Sequence, residues 1–307
     1  MKGVVVKSTG SWYLVRDESG TLYRARLRGK FKLKGMKVSN PLAVGDRVEF
    51  DVEDVEEKSA VIHKIEDRRN YIIRQSTHKS AHAHIIAANL DLALLVVTLV
   101  SPRTSFGFID RFLVTAEAYD IPAMLIYNKT DMYDQDMERY QRQISHMYGQ
   151  IGYNTLAVSA LKNEGMEAVR QLIQGKTSLF SGHSGVGKSS IINQLVPDLA
   201  LKTSEISSFS DKGVHTTTFA EMFEVDPETF IIDTPGIKEL GIVDIPKNEL
   251  SHFFPEMRER LNQCRFNNCT HTNEPGCAVV AAVRENRIAL TRYESYLSML
   301  QGEDNRK

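Results

Sequence analysis

The sequence predicts a multi-domain chain: an N-terminal β-barrel, a central α/β domain built on a parallel sheet, and a C-terminal α-helical, metal-binding domain. Three observations carry this. Five short strand-like runs crowd the first ~68 residues, apolar runs then alternate with helical stretches from about residue 85, and beyond about 246 the strand signals stop. All three cysteines lie in that last segment, between 264 and 277. The boundaries expected are a barrel over 1–68, a linker over 69–84, the α/β domain over 85–245 and the helical domain over 246–307. A chain of 307 residues has the length of two or three domains.

In the barrel region, VVVK, WYLVR, TLYRARL, RVEFDV and AVIHKIE are separated by turn formers such as Asp17-Glu18-Ser19-Gly20 and Val44-Gly45-Asp46. Five strands of that size make an OB-fold the commonest answer, with an SH3-like barrel as the alternative. Charge is uneven. Residues 1–40 hold ten Lys/Arg against two acids and residues 41–70 five against nine, inside a chain that is balanced overall at 38 against 39. Arg24, Arg26, Arg28, Lys30, Lys32 and Lys34 occupy every second position, with Tyr23, Ala25, Leu27, Phe31 and Leu33 between them. An extended chain puts such a series on one face. The stripe suits RNA phosphates, with Trp12, Tyr13 or Phe31 to stack bases. A solvated face, an acidic protein partner and anionic lipid are the competing readings.

In the α/β region, DLALLVVTLV reads as a strand buried on both faces. Helical stretches near 107–119, 135–149 and 164–174 alternate with PAMLIYN, NTLAVSA and TSLFSG, the pattern of a parallel sheet covered by helices. The longest apolar stretch, 92–100, is about half a membrane span. The start, MKGVVVKSTG, lacks the apolar core of a secretory signal. A cytoplasmic chain without a membrane partner is expected.

Gly182-His183-Ser184-Gly185-Val186-Gly187-Lys188-Ser189 fits G-x-x-x-x-G-K-[ST], after an apolar run and before the helical IINQLV. Its backbone N–H groups, continuing to Ser190, can turn around phosphate oxygens at a helix N-terminus. Lys188 would neutralise the β- and γ-phosphates, and Ser189 would offer its hydroxyl to Mg²⁺. Asp233-Thr234-Pro235-Gly236 follows Thr229-Phe230-Ile231-Ile232. Asp233 would be the second Mg²⁺-organising group, and Gly236 N–H would meet the γ-phosphate. Asn128-Lys129-Thr130-Asp131 ends another apolar run. Asp131 can accept from guanine N1–H and its 2-amino group, which adenine cannot match. Asn128 suits the other edge of the base, the Lys129 stem its face, and Ser159-Ala160 a backbone N–H toward the guanine oxygen.

The guanine motifs at 128–131 and 158–160 precede the phosphate motifs, the reverse of the usual order, so the central domain reads as a circularly permuted P-loop GTPase. The order is physically permitted because all these loops lie at the carboxyl edge of one parallel sheet. Between the two phosphate motifs, 204–218 is polar and rich in hydroxyls. One of Thr216, Thr217 and Thr218, with Thr217 favoured, would close onto Mg²⁺ and the γ-phosphate. Ile237 stands where Ras-like proteins carry a water-orienting glutamine, which leaves His215 as the nearest titratable group for that task.

Cys264-x4-Cys269-x-His271-x5-Cys277 offers three thiolates and an imidazole, a closed tetrahedral set for one structural Zn²⁺. His252 is the alternative fourth ligand. With four protein ligands no open position remains.

The whole constellation resembles the RsgA (YjeQ/YloQ) family, small-ribosomal-subunit-dependent GTPases with a permuted core. The likeness rests on the barrel, N-K-T-D, G-H-S-G-V-G-K-S, H-T-T-T, D-T-P-G and the Cys/His spacing, and spans essentially the whole chain. It implies an OB-fold, a zinc-bearing helical domain, GTP as substrate and GDP as product. It also implies binding to the small ribosomal subunit and its rRNA, a role in late maturation of that subunit, GTPase stimulation by it, and His215 as the switch histidine. A monomer is expected. The residues alone reach only a polyanion-binding GTPase and leave two alternatives open, an RNA-binding scaffold with incidental hydrolysis and a GTPase switch for a protein partner.

Overall fold

The computed structural model describes residues 1–9, 12–29, 41–75, 83–196, 199, 220–234 and 245–303. Lys30, Phe31, Lys32, Lys34, His215, Thr216, Thr217, Thr218, Gly236 and Ile237 lie outside the described residues.

Strands β1 (Lys2–Ser8), β2 (Tyr13–Asp17), β3 (Leu22–Leu27), β4 (Arg47–Asp54) and β5 (Ser59–Ile65) lie in the order β1-β2-β3-β5-β4, and a β1–β4 pairing closes the ring. The β3–β5 pair is parallel and the others are antiparallel. That parallel pair marks a Greek-key OB barrel rather than an all-antiparallel SH3-like one. Period-two alternation builds it: Val5, Val15, Ala25, Phe50 and Ile62 share one interior core, while Arg24 and Arg26 stand exposed on either side of buried Ala25. Tyr13 pairs with Ala25 and is 4% exposed. It is a core residue and cannot stack a base.

Residues 69–84, expected as a linker, carry β6 (Tyr71–Gln75) and the start of β7 (Ala83–Ala88), paired antiparallel. The local signal is the apolar Ile72-Ile73, both buried.

Next come β8 (Leu92–Val97), α1 (Phe106–Ala118), β9 (Ala123–Tyr127), α2 (Gln135–Gln150), β10 (Thr155–Ala157), α3 (Met166–Ile173), β11 (Thr177–Ser181), α4 (Lys188–Leu195), β12 (Glu221–Asp226) and β13 (Thr229–Asp233). The sheet order is β10-β9-β8-β11-β13-β12, parallel except for the β12–β13 pair. In β8, Ala93, Leu95 and Val97 face a core shared with α1 and α2. Leu92, Leu94 and Val96 face the core of α3 and α4. Burial on both sides is why this strand reads as an unbroken apolar run. The outer strand β12 also pairs with β1, so barrel and α/β sheet form one eleven-stranded sheet.

The C-terminal part holds α5 (Pro255–Arg258), α6 (Ala278–Arg284) and α7 (Leu290–Gln301). Both longer helices follow the cysteine cluster. Upstream, only 3₁₀ turns and the four-residue α5 form among the described residues. Val114 of α1 shares a core with Phe254, Met257 and Tyr296. Through that joint runs an ion network. Arg292, 1% exposed, meets Asp110 Oδ1 at 2.7 Å and Glu256 Oε1 at 2.7 Å, with the Phe254 ring 4.6 Å from its guanidinium. Tyr148 Oη donates to Asp110 at 2.8 Å. Burial pushes the Asp110 carboxyl up, and Arg292 pulls it back. Among the described residues, no helix is long and apolar enough to cross a membrane.

Replacing Arg292 by Ala strands two buried carboxylates. The expected loss is about 3–5 kcal/mol, read as faster amide exchange in α1 and α7 than in the barrel strands. An unchanged exchange pattern would show that the network contributes nothing to this joint.

Candidate functional site

The motif loops meet at one edge of the sheet. β11 ends at Ser181, the phosphate loop follows, and Lys188 opens α4. Gly182 has φ 155°, and a Cβ there would lie 2.6 Å from Val96 O; Gly187 has φ 86°, and a Cβ there would fall on Asn128 Nδ2. Only glycine permits both the turn and this close approach. Lys188 Nζ is ion-paired with Asp233 Oδ1 at the end of β13. Burial pushes the Asp233 carboxyl up against the pull of Lys188. Ser184 and Gly185 are exposed, whereas Lys188, Ser189 and Ser190 are half-buried in the first turn of α4.

On the base side, Asp131 Oδ1 accepts from Ser159 Oγ at 2.5 Å, and Ser159 Oγ accepts from Lys162 N at 3.1 Å. These bonds orient the carboxylate before any ligand arrives. Asn128, 1% exposed, has both ends engaged: Nδ2 donates to Val186 O at 2.8 Å, and Oδ1 accepts from Ala160 N at 3.1 Å. The Ala160 N–H, expected to face the guanine oxygen, therefore goes to Asn128. A buried amide needs partners for both its ends. The task of Asn128 here is to tie the phosphate loop to the Ser159-Ala160 loop. Lys129, left-handed at φ 65°, reaches Ser101 O with Nζ at 2.6 Å. Partial burial holds its ammonium below the usual range, opposed by Asp131.

The sequence reading missed the loop between β8 and α1. Thr104 Oγ1 lies 2.8 Å from His183 Nε2 and accepts from Thr98 N at 3.1 Å. The Phe108 ring meets the His183 ring edge-on at 5.4 Å. The His183 imidazole therefore braces the loop after β11 against the one between β8 and α1. No local spacing could have revealed this contact, because 79 residues separate the partners.

The structure brings Cys264, Cys269, His271 and Cys277 together, with donor atoms within 4.8 Å of one another. His252 is outside the group. His271 Nδ1 lies 3.6 Å from Cys264 Sγ and 3.5 Å from Cys277 Sγ. Bonds of about 2.3 Å to sulfur and 2.0 Å to nitrogen put tetrahedral neighbours about 3.5–3.8 Å apart, so the donor set fits zinc with His271 binding through Nδ1. Burial pushes the Cys269 thiol up to about 12, raises Cys277 and lowers His271. Thiolates in such a place call for a cation. Tyr293 and Tyr296 of α7 donate to His271 O and Thr270 O at 2.7 Å each, holding the loop.

The barrel stripe is partly spent. Arg26 pairs with Glu53 at 2.9 Å. The Arg24 guanidinium lies 4.3 Å over the ring of Trp12, which is 38% exposed, and Arg28 is exposed.

Residues 65–243 match the family described as RsgA GTPase, and residues 2–62 the RsgA N-terminal domain. The chain is 51% identical over 307 residues to the small ribosomal subunit biogenesis GTPase RsgA of Bacteroides fragilis, covering 100% of this chain and 98% of that protein. It is equally 51% identical to the protein of that name from Cytophaga hutchinsonii, over the full length of both. Among solved structures, YjeQ from Thermotoga maritima superposes with a TM-score of 0.78 at 35% identity, covering 100% of this chain and 99% of that one. YloQ, described as a circularly permuted GTPase, gives 0.74 at 32%, covering 100% and 96%.

Two outcomes check the site. Asp131→Asn replaces an acceptor with a donor opposite guanine, so GTP affinity should fall at least about tenfold while xanthosine triphosphate gains, since an unpaired buried group costs a few kcal/mol. Competition binding with the two nucleotides reads this. Cys269→Ser should take the zinc content from one per chain to none and loosen α6 and α7, as followed by metal analysis and amide exchange.

Proposed function

The chain belongs to the RsgA GTPase family, and from that we propose that it hydrolyses GTP to GDP and phosphate in late maturation of the small ribosomal subunit, with turnover raised by docking on that subunit. The observation that carries this is the convergence of Asp131, Ser159, Lys188 and Asp233 at one sheet edge, delivered in permuted order. Full-length relatives named as small ribosomal subunit biogenesis GTPases support it.

In this reading the N–H groups from Gly182 to Ser190 wrap the β-phosphate. Lys188 leaves Asp233 for the β- and γ-phosphate oxygens, where it stabilises charge developing in transfer. Ser189, Asp233 and Thr217 would hold Mg²⁺, which when bound neutralises those oxygens. The fit is that Asp233, buried, already receives a cation from Lys188. Gly236 N–H meets the γ-phosphate. Asp131, braced by Ser159, selects guanine, with Asn128 holding the neighbouring loops together and Lys129 covering the base. His215 positions the attacking water, a task that Ile237 cannot perform. Cys264, Cys269, His271 and Cys277 hold one structural Zn²⁺ and take no part in the reaction. The barrel meets rRNA through Arg24 with Trp12 and through Arg28, joined by the cations Lys30, Lys32 and Lys34 of the following segment, and Arg26 contributes less because of Glu53. The protein works as a monomer in the cytoplasm, the compartment of its partner, and its domains divide near 68, 84 and 245.

GTP turnover titrated with purified small subunits tests this. Turnover should rise to a plateau. Reversing Arg24 and Arg28 to Glu should leave basal turnover unchanged and shift the titration toward more subunit. It should also flatten the log–log salt dependence of binding by roughly 1–2, because each lost phosphate contact releases fewer counterions. A flat titration for the unmodified chain would defeat the functional reading; a shared salt slope would reduce the stripe to a solvated face.

A further inference from the structure

Three neighbouring strands set charged side chains in one row on one face of the sheet. Lys7 of β1 stands opposite Glu221 of β12, and Glu221 stands opposite Asp233 of β13. Directly opposed residues share a face, on strands about 4.8 Å apart. Lys7 Nζ donates to Glu221 Oε1 at 2.8 Å, and Asp233 accepts from Lys188. From barrel to phosphate loop the signs run plus, minus, minus, plus. The two inner carboxylates oppose each other, and each is balanced by its outer lysine.

A triphosphate that draws Lys188 away changes that balance. The charge beside Asp233 is then governed by Glu221 and by whatever neutralises it. We propose that Lys7 and Glu221 are positioning residues for the nucleotide site. Lys7, a barrel residue, offsets Glu221 beside Asp233 and thereby sets how well the site accepts the third phosphate. The inference rests on reading Asp233 as the carboxylate on the phosphate side. It makes the barrel an electrostatic part of the nucleotide site, since any displacement of β1 against β12 alters the charge next to Asp233. With 40% and 30% of their side chains exposed, Lys7 and Glu221 act through partly screened charge, so the effect is moderate and falls with salt.

A second ion pair crosses the same joint and supplies a control. Arg16 meets Glu224 at 2.9 Å, with its guanidinium 5.5 Å from the Phe230 ring. Glu224 stands opposite Phe230, not Asp233.

The test measures affinities of the full chain for fluorescent GTP and GDP analogues in Mg²⁺-containing buffer. Lys7→Met should weaken GTP relative to GDP about three- to tenfold at low ionic strength, a gap that closes at ~0.5 M salt. Lys7→Met with Glu221→Gln should restore the ratio to within about twofold of the unmodified chain, because the uncompensated charge has gone with its partner. Arg16→Met should loosen the joint but leave the ratio unchanged. A parental ratio in Lys7→Met, an unrestored double variant, or an equal shift in Arg16→Met would each overturn the proposal. An Asp233→Asn variant whose GTP binding keeps the original Mg²⁺ dependence would instead sink the assignment of Asp233, and the coupling with it.

Discussion

Strand β8 is buried along its whole length, and the apolar side chains of β11 fill both cores of the α/β sheet. No polar chemistry can be placed along strands like these, because solvent reaches neither face. It has to sit beyond their carboxyl ends, where the loops after β9, β10, β11 and β13 come within reach of one another whatever order the chain visits them in. Asn128 then fixes their spacing. Its amide bonds to Val186 and Ala160, 58 and 32 residues away. Leaving either end of this buried amide unpaired costs about 1–3 kcal/mol. The loops after β9, β10 and β11 are therefore held in one geometry.

What the residues disclosed in advance was the set of motifs encoded by short spacing, and with them the family. G-x-x-x-x-G-K-S has glycines at fixed offsets, N-K-T-D is four consecutive residues, and the Cys/His cluster that the structure brings together falls within one short loop. The barrel strands were legible because β2 to β5 alternate with a period of two, while β1 carries the apolar run Val4-Val5-Val6. Contacts made by the fold alone were not legible. Arg292, Asp110 and Glu256 are scattered charges in the sequence, and nothing local distinguishes them from the solvated charges around them; their burial follows from docking α7 on α1. The stacking role expected of Tyr13 failed for a related reason. An aromatic next to Trp12 looks available until register turns it inward, opposite Ala25.

The C-terminal domain is joined to the nucleotide domain by more than the chain leading from Asp233. Arg292 reaches Asp110 on α1. Thr104, two residues before that helix, braces the phosphate loop through His183. The cluster loop is in turn held to α7 by Tyr293 and Tyr296. The cluster loop thus reaches α1 through α7, and the loop after β11 meets α1 through His183 and Phe108. The cluster has a packed route toward the loop after β11, and that route is separate from the barrel's.

The permuted order also has a meaning in time. Domains take shape from the N-terminus as the chain is synthesised. Asp131 and Ser159 therefore emerge before the phosphate loop exists. β8 pairs with β9 soon after, but its other neighbour, β11, begins only at Thr177. β1 waits longer still, since its contact with Glu221 lies 214 residues downstream. The sheet edge that gathers the motif loops is incomplete until β13, ending at Asp233, has been made. Most of the molecule must therefore exist before its loops can meet.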